Sequence, residues 1–295
     1  MEQVIKTKEQ KSRGELGEII FHLVRDPLGL VGFIIVAIIV FSALFANWIV
    51  PFDPIALNIP DRLQGPSLTH LLGTDQLGRD TFSRMIMGGR VALQVAIPTI
   101  VGAIGIGMLL GMLAGYGPKW LDSLILLFFD TIRSFPTVMF ALAVVALIGP
   151  SLNTVIFVIM VTSIPTYGRV VRTLTMSIKS SEFIDAEKAL GASNTRILAV
   201  HILPNVLGPM AVLAAMDIPT IVGLEAGLSF LGMGVRPPTP SWGSLLNDGY
   251  SLIRNTPWPI IAGGIPLILT TLGFTFLGEA LRDVVDPKLR GRGGK

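Results

Sequence analysis

Long apolar runs alternate with short polar connections along this 295-residue chain. The runs cover roughly 28–50, 91–115, 123–148, 152–171, 206–231 and 257–280. Each is close to the 20 or so residues that cross the hydrocarbon core of a bilayer. Backbone polar groups cannot stay unpaired in lipid, so each run is predicted to be a helix. The expected fold is therefore an all-α polytopic membrane protein with six transmembrane helices. Its expected parts are an N-terminal segment 1–27, a first span 28–50, a polar segment 51–90, a five-helix core 91–280 and a tail 281–295. The first apolar run exceeds the ~7–15 residues of a secretory leader, which predicts a retained span.

Composition agrees with that pattern. Only 15% of residues are charged and 51% are hydrophobic, against about 25% charged in soluble domains. The net charge of +3 is too small to argue for nucleic acid, and with no cysteine the chain has no disulfide framework, thiol nucleophile or thiolate metal site. His22, His70 and His201 lie far apart and form no metal-ligand motif.

Charge then orients the spans. Lys6, Lys8, Lys11, Arg13, Arg25, Lys119, Arg169, Arg172, Lys179, Lys188, Arg196, Arg282, Lys288, Arg290, Arg292 and Lys295 fall on one side of a six-span chain. Only Arg62, Arg79, Arg84, Arg90, Arg236 and Arg254 fall on the other. The basic side is the cytoplasmic one. Both termini and the 172–205 connection are expected there, with 51–90 and 232–256 facing outward.

Within the spans, Gly107, Gly111 and Gly115 repeat every four residues, as do Gly223 and Gly227. That spacing lets helices approach closely. Pro98, Pro136, Pro165, Pro219 and Pro266 each favour a kink. Asp130, Arg133, Asp217 and Glu225 are candidate pathway or packing charges, because an intramembrane charge normally faces the bundle interior. Asp130 and Arg133, three apart, are expected to pair on one helix face. Asp217 and Glu225, eight apart, share roughly one face. They read either as lining for a polar pathway, as partners for a neighbouring subunit, or as a proton relay.

One connection is unlike the others. In "FIDAEKALGASNTRILAVHILPN" (183–205), Glu182 and Asp185 sit in the first turn of a short helix, where acids suit the helix dipole. Ser180 or Ser181 is placed to cap it. Gly191 is placed to end it in a left-handed conformation. Ser193 is placed to cap a second helix, Arg196–Leu203, expected to finish before Pro204. The element reads as a protruding knob or as an amphipathic connector on the lipid surface.

This element resembles the "EAA" motif of bacterial ABC importer permeases, in which Glu-Ala-Ala is followed after three residues by Gly and after nine more by an apolar position, any residue, Leu and Pro. Here it runs from Asp185-Ala186-Glu187 through Gly191 to His201-Ile202-Leu203-Pro204, with Asp for the first Glu, Glu for the second Ala and His at the apolar position. "HLLGTDQLGRDTFSRMIMGGR" (70–90) and "GLSFLGMGVRPPTPSWGSLL" (227–246) are similar to segments of the dipeptide/oligopeptide/nickel permease family, in particular its C-type subunit. The resemblance spans nearly the whole chain and implies the type I ABC importer permease fold. It further implies that Asp185, Ala186, Glu187, Ala189, Leu190, Gly191, Leu203 and Pro204 dock on a separate ATP-binding subunit. The implied assembly has two ATP-binding subunits carrying ATP and Mg, a homologous second permease and an extracytoplasmic substrate-binding protein. The outward motifs read either as fold support or as contacts to that binding protein or the substrate. Pro237–Pro240 is expected to be stiff and extended, and Trp242 an interfacial anchor.

The chain carries no G-x-x-x-x-G-K-[ST] phosphate-binding loop, so it is not expected to be an enzyme or to bind a cofactor itself. The expected function is a permease subunit for peptides. Nickel, glutathione or another small solute is the alternative cargo, and an ion-coupled secondary transporter is the alternative class.

Overall fold

The computed structural model describes residues 26–285, with side chains to Asp283. The predicted N-terminal segment and the end of the predicted tail, with their lysines and arginines, lie outside the described residues. Every regular element among the described residues is helical, apart from an isolated bridge between Thr74 and Asp80.

Helix α1 (Pro27–Leu44) starts where Asp26 accepts the Gly29 amide at 2.9 Å, with proline in its first turn. A single turn, α2 (Ala46–Ile49), follows. Helix α3 (Thr81–Tyr116) is capped by Asp80, which accepts from Ser83 N at 2.7 Å. Then come α4 (Lys119–Arg133), α5 (Thr137–Ile148) and α6 (Leu152–Lys179), the last capped by Ser151. Short helices α7 (Glu182–Ala189) and α8 (Asn194–Arg196) lead through a π-helical segment, Ile197–Ile202, into α9 (Leu203–Phe230). Helix α10 (Trp242–Ser251) precedes the last span, α11 (Trp258–Val285). Among the described residues five helices are long and apolar enough to cross a membrane, and α4 with α5 together make a sixth, broken candidate span.

The sixth expected span, 123–148, is not one helix. α4 and α5 meet at an angle of 81°. The break falls at Ser134–Pro136, where Pro136 occupies the N-cap of α5. Proline removes an amide donor and its ring opposes a continuous helix, which accounts for the break. Pro98, Pro165, Pro209, Pro219 and Pro266 remain inside their helices.

Helix α3 packs most extensively on α6. A Cβ on Gly107 would lie 2.8 Å from Tyr167 Cβ, on Gly111 2.7 Å from Val171 Cβ, and on Gly115 2.8 Å from Thr175 Cβ. The four-residue stripe is thus a groove that α6 fills. Gly223 and Gly227 behave differently: nothing lies within 4 Å of a Cβ at either. They face open space on α9 instead of packing within the chain. The core has two parts. One gathers Val95, Val155, Ile221 and Trp242; the other gathers Phe129, Tyr167, Ile184, Ile197 and Ile202. The second part joins the spans to the 180–204 corner.

Candidate functional site

The corner is built by local rules. Ser181 is the N-cap of α7, but its hydroxyl donates back to Ile178 O at 2.5 Å instead of capping an amide. At the other end Gly191 has φ of 83°. Gly191 N donates to Lys188 O at 2.9 Å and Ala192 N to Glu187 O at 3.0 Å. Those two bonds form a Schellman motif, which needs the left-handed residue that glycine supplies without strain. Ser193 Oγ then accepts from Arg196 N at 3.3 Å. Contrary to the expectation, the second helix does not finish before Pro204. A wider π turn over Ile197–Ile202 carries the chain into α9, and Pro204 sits in its first turn, where a missing N–H is tolerated. Asn205 Nδ2 donates to His201 O at 2.6 Å.

The corner is seated firmly on the spans. Ile184, Ile197 and Ile202 are fully buried. Tyr116, at the end of α3, donates through its hydroxyl to Asn194 Oδ1 at 2.9 Å. Lys179, at the end of α6, donates to Tyr116 O at 2.7 Å. Its outer surface carries Asp185, Ala186, Lys188 and Ala189 in the open, with Asp185 paired only to Lys188 at 2.9 Å. Leu190 is 85% exposed and Phe183 49%. Two of the three departures from the EAA pattern face each other: His201 Nε2 lies 3.5 Å from Glu187 Oε1 without hydrogen-bond geometry, and the His201 ring meets Phe183 edge-on at 6.2 Å. Leu203 is half-buried and Pro204 exposed.

The four intramembrane charges do not form one site. Asp130 and Arg133 are not paired with each other. Arg169 of α6 reaches Asp130 Oδ1 at 2.5 Å, and Arg133 Nη1 donates to Thr166 Oγ1 at 3.1 Å. The α4–α5 break ends the helix at Arg133 and the long α6 supplies a closer partner for Asp130. Asp217 Oδ2 accepts from Tyr167 at 2.9 Å. Arg133 and Asp217 share a cavity of about 440 Å³ with Ser134, Thr137, Thr162, Ser163, Thr166 and Thr220. Glu225 lies apart from it and is fully buried, accepting from Ser229 Oγ at 2.6 Å. Sequence reasoning missed Tyr167, Thr166 and the partner role of Arg169. It also missed Arg172, which donates twice to Asp122 at 2.5 and 2.6 Å. Arg169 and Arg172 had counted only as flanking charge, because the 28-residue length of α6 was not legible from its apolar part.

The 70–90 motif is a buried knot. Arg79 Nε donates to Asp75 Oδ2 at 2.7 Å, and Arg79 N and Leu77 N donate to Asp75 Oδ1 at 3.1 and 2.8 Å. His70 Nδ1 lies 2.9 Å from Asp80 Oδ1. Arg79 and Arg84 come within 3.5 and 3.7 Å of Asp248 on α10. Burial pushes the Asp248 carboxyl above the ordinary aspartate range, although Arg84 and Arg79 pull it down. This geometry supports the fold-support reading of the motif. Trp242 is not an interfacial anchor: it is 3% exposed, lies against Gly88 and donates from Nε1 to Met85 O at 2.9 Å. Pro237 and Pro238 sit in a turn with a cis bond between them, not in a stiff extended run.

Comparison with known proteins places these features in one family. Residues 107–291 match the model of the binding-protein-dependent transport system inner membrane component, and residues 16–66 match the N-terminal TM domain of oligopeptide transport permease C. The chain is 40% identical over 269 residues to the dipeptide transport system permease protein DppC of Alkalihalophilus pseudofirmus, covering 91% of this chain and 88% of that one. It is 37% identical over 270 residues to the glutathione transport system permease protein GsiD of Pectobacterium atrosepticum, covering 91% and 90%. A structure of the MetNI methionine ABC transporter in inward-facing conformations shares the fold, with a TM-score of 0.54 at 18% identity over 69% of this chain and 97% of that one. With a 185-residue match to the transport model, an all-helical bundle and a matching N-terminal module, the chain belongs to the binding-protein-dependent inner-membrane permeases of ABC importers, as a C-type subunit.

Proposed function

We propose that this subunit forms half of the translocation pathway of an ATP-driven importer of di- or oligopeptides in the bacterial cytoplasmic membrane. Residues 1–27, the corner within 172–205 and residues 281–295 lie on the cytoplasmic side, and 51–90 lies outside. A homologous second permease completes the pathway. Two ATP-binding subunits hold ATP and Mg, and an extracytoplasmic binding protein delivers the cargo. Asp185, Ala186, Glu187, Ala189, Leu190, Gly191, Leu203 and Pro204 form the handle that docks in an ATP-binding subunit.

One observation carries this reading. The corner shows apolar side chains outward, Leu190 and Phe183, while Ile184, Ile197 and Ile202 fix it to the span ends. Apolar groups held in the open on a rigid element suit a partner's cleft. Because Tyr116 and Lys179 tie α3, α6 and the corner together, a push on the handle is transmitted to two long helices. ATP binding that closes the partner subunits then biases the bundle between inward and outward openings.

The peptide cargo is supported by the likeness to a dipeptide permease. Glutathione is the second reading, supported by the likeness to a glutathione permease. The test is the ATPase activity of the purified complex with its binding protein. Dipeptides should stimulate it. Stimulation by glutathione or nickel chelates alone would reassign the cargo, and uptake driven by an ion gradient without ATP would remove the importer reading.

A further inference from the structure

We propose that the cavity at the α4–α5 break is a transit subsite for the two charged ends of a peptide, with Arg133 receiving its carboxylate and Asp217 its ammonium group. This rests on the peptide reading above.

The first argument is the charge inventory. An ionisable group within the membrane is costly and needs a reason to be there. Asp130 has one, since Arg169 neutralises it at 2.5 Å. Arg133 and Asp217 do not, since neither forms an ion pair with another described residue. Arg133 spends one bond on Thr166, and Asp217 accepts from Tyr167 and has the Thr220 hydroxyl as a second neighbour. A guanidinium has five donors and a carboxylate about four acceptor sites, so both keep capacity for a ligand. One cation and one anion thus face a single cavity with no ion-pair partner among the described residues.

Cavity chemistry gives the second argument. Its volume of about 440 Å³ falls among the ~300–1,000 Å³ of small-molecule sites. The rest of the lining mixes the hydroxyl residues Ser134, Thr137, Thr162, Ser163, Thr166 and Thr220 with four apolar residues. Ser134 and Thr162 give their protons to the carbonyls of Asp130 and Val158 and so offer acceptor sites to peptide N–H groups, whereas a hydroxyl without such a bond can also donate to a peptide C=O. Ligand recognition by backbone and termini, not by side chains, is what a carrier of varied peptides needs.

Helix geometry provides the third. A broken helix is tolerated at membrane depth where it lines a cavity, and transporter sites form at such breaks. Here the 81° break sets Arg133 at the end of α4 and Thr137 at the start of α5 against the same space. Asp217 reaches it from α9, the helix that grows out of the corner. Motion of the handle would therefore change the distance between the two charged groups and release the cargo.

The test uses the complete complex in proteoliposomes, with its binding protein and radiolabelled dialanine. If dialanine is not taken up by the unaltered complex, the peptide reading itself fails. If it is taken up, Arg133→Gln and Asp217→Asn should each lower its maximal uptake rate about tenfold, the scale of one lost charge contact, and Arg133→Lys should recover most of the loss. In parallel, p-benzoylphenylalanine placed at the exposed, cavity-lining Phe135 should crosslink to the dipeptide only when ATP is supplied. Adding Arg133→Gln should abolish that labelling. Unaltered uptake in both neutralised variants, or continued uptake with no crosslink at Phe135, would overturn the subsite.

Discussion

Arg79 Nε donates to Asp75 Oδ2 across 2.7 Å, and the two side chains are only 8% and 1% exposed. The pair closes a loop whose tight turns use Gly73 and Gly78 at φ of 69° and 72°. Breaking a buried pair by removing one partner leaves an uncompensated charge and costs about 3–5 kcal/mol. Asp75→Asn should therefore lower the thermal midpoint of the detergent-solubilised subunit sharply and reduce its yield. A midpoint within a degree or two of the parent would show that the knot does not hold this segment.

Asp248 faces the same two arginines and should respond in the opposite sense. Its folded carboxyl keeps a proton to higher pH than the unfolded chain does, because burial outweighs Arg84 and Arg79. The folded state then binds more protons between the ordinary carboxyl range and the raised value, so stability falls as pH rises through that window. Above it the cost is fully present and constant. Asp248→Asn removes the titrating group. The midpoint of the parent minus that of the variant should decline from about pH 4 towards neutrality. A difference that grows over that range would contradict the sign.

Helix contact offers a comparison inside one element. A Cβ on Gly111 would fall 2.5 Å from Gly168 O, whereas nothing lies within 4 Å of one on Gly105. Overpacking of a filled groove costs typically about 1–3 kcal/mol, and backbone can yield little. Gly111→Val should destabilise the subunit by at least that much, while Gly105→Ala, in open space inside the helix, should be neutral to stabilising by up to about 1 kcal/mol. Equal midpoints for the two variants would mean that α3 and α6 are not locked by this groove.

These contrasts mark what the sequence could carry. The Gly107, Gly111 and Gly115 stripe was legible because its four-residue period is local, and so was the corner, since Gly191 and Ser193 act within a few residues of themselves. The break at 134–136 was not. Thr137–Ile148 is more apolar than every long span but α1, and apolar content does not say whether a proline kinks a helix or divides it. Trp242 was misread for a related reason: its partner Met85 lies 157 positions away. Composition gives tryptophan an interfacial preference, and only the fold shows the backbone of α3 beneath it. The partner of Asp130 was likewise 39 residues distant, so the nearer Arg133 stood in for Arg169.

Gly191 tests whether the corner transmits motion. Its φ of 83° costs a side-chain-bearing residue about 1–2 kcal/mol, most for β-branched ones. No neighbour lies within 4 Å of a Cβ there, so space is not the constraint. Gly191→Val should loosen the turn and lower peptide uptake per ATP hydrolysed, while Gly191→Asn, which tolerates the conformation, should remain close to the parent. Equal coupling ratios in the two variants would show that the Schellman turn is not needed for transmission.

Asp185 separates docking from folding. Its side chain is 70% exposed and its one ion pair is to Lys188, three residues on. Exposed pairs of this kind contribute about 0–1 kcal/mol, so Asp185→Lys should leave the thermal midpoint of the isolated subunit nearly unchanged. The same change reverses a charge on the proposed handle, beside the small exposed Ala186 and Ala189. Co-purification with the ATP-binding subunits should fall several-fold, and more at low salt than at high, because a charge contact at a solvated rim is screened. Full retention of those subunits at low salt would place the docking energy on Leu190 and Phe183 instead. In that case Leu190→Ala, which removes an apolar side chain already 85% exposed, should weaken assembly while stability stays the same.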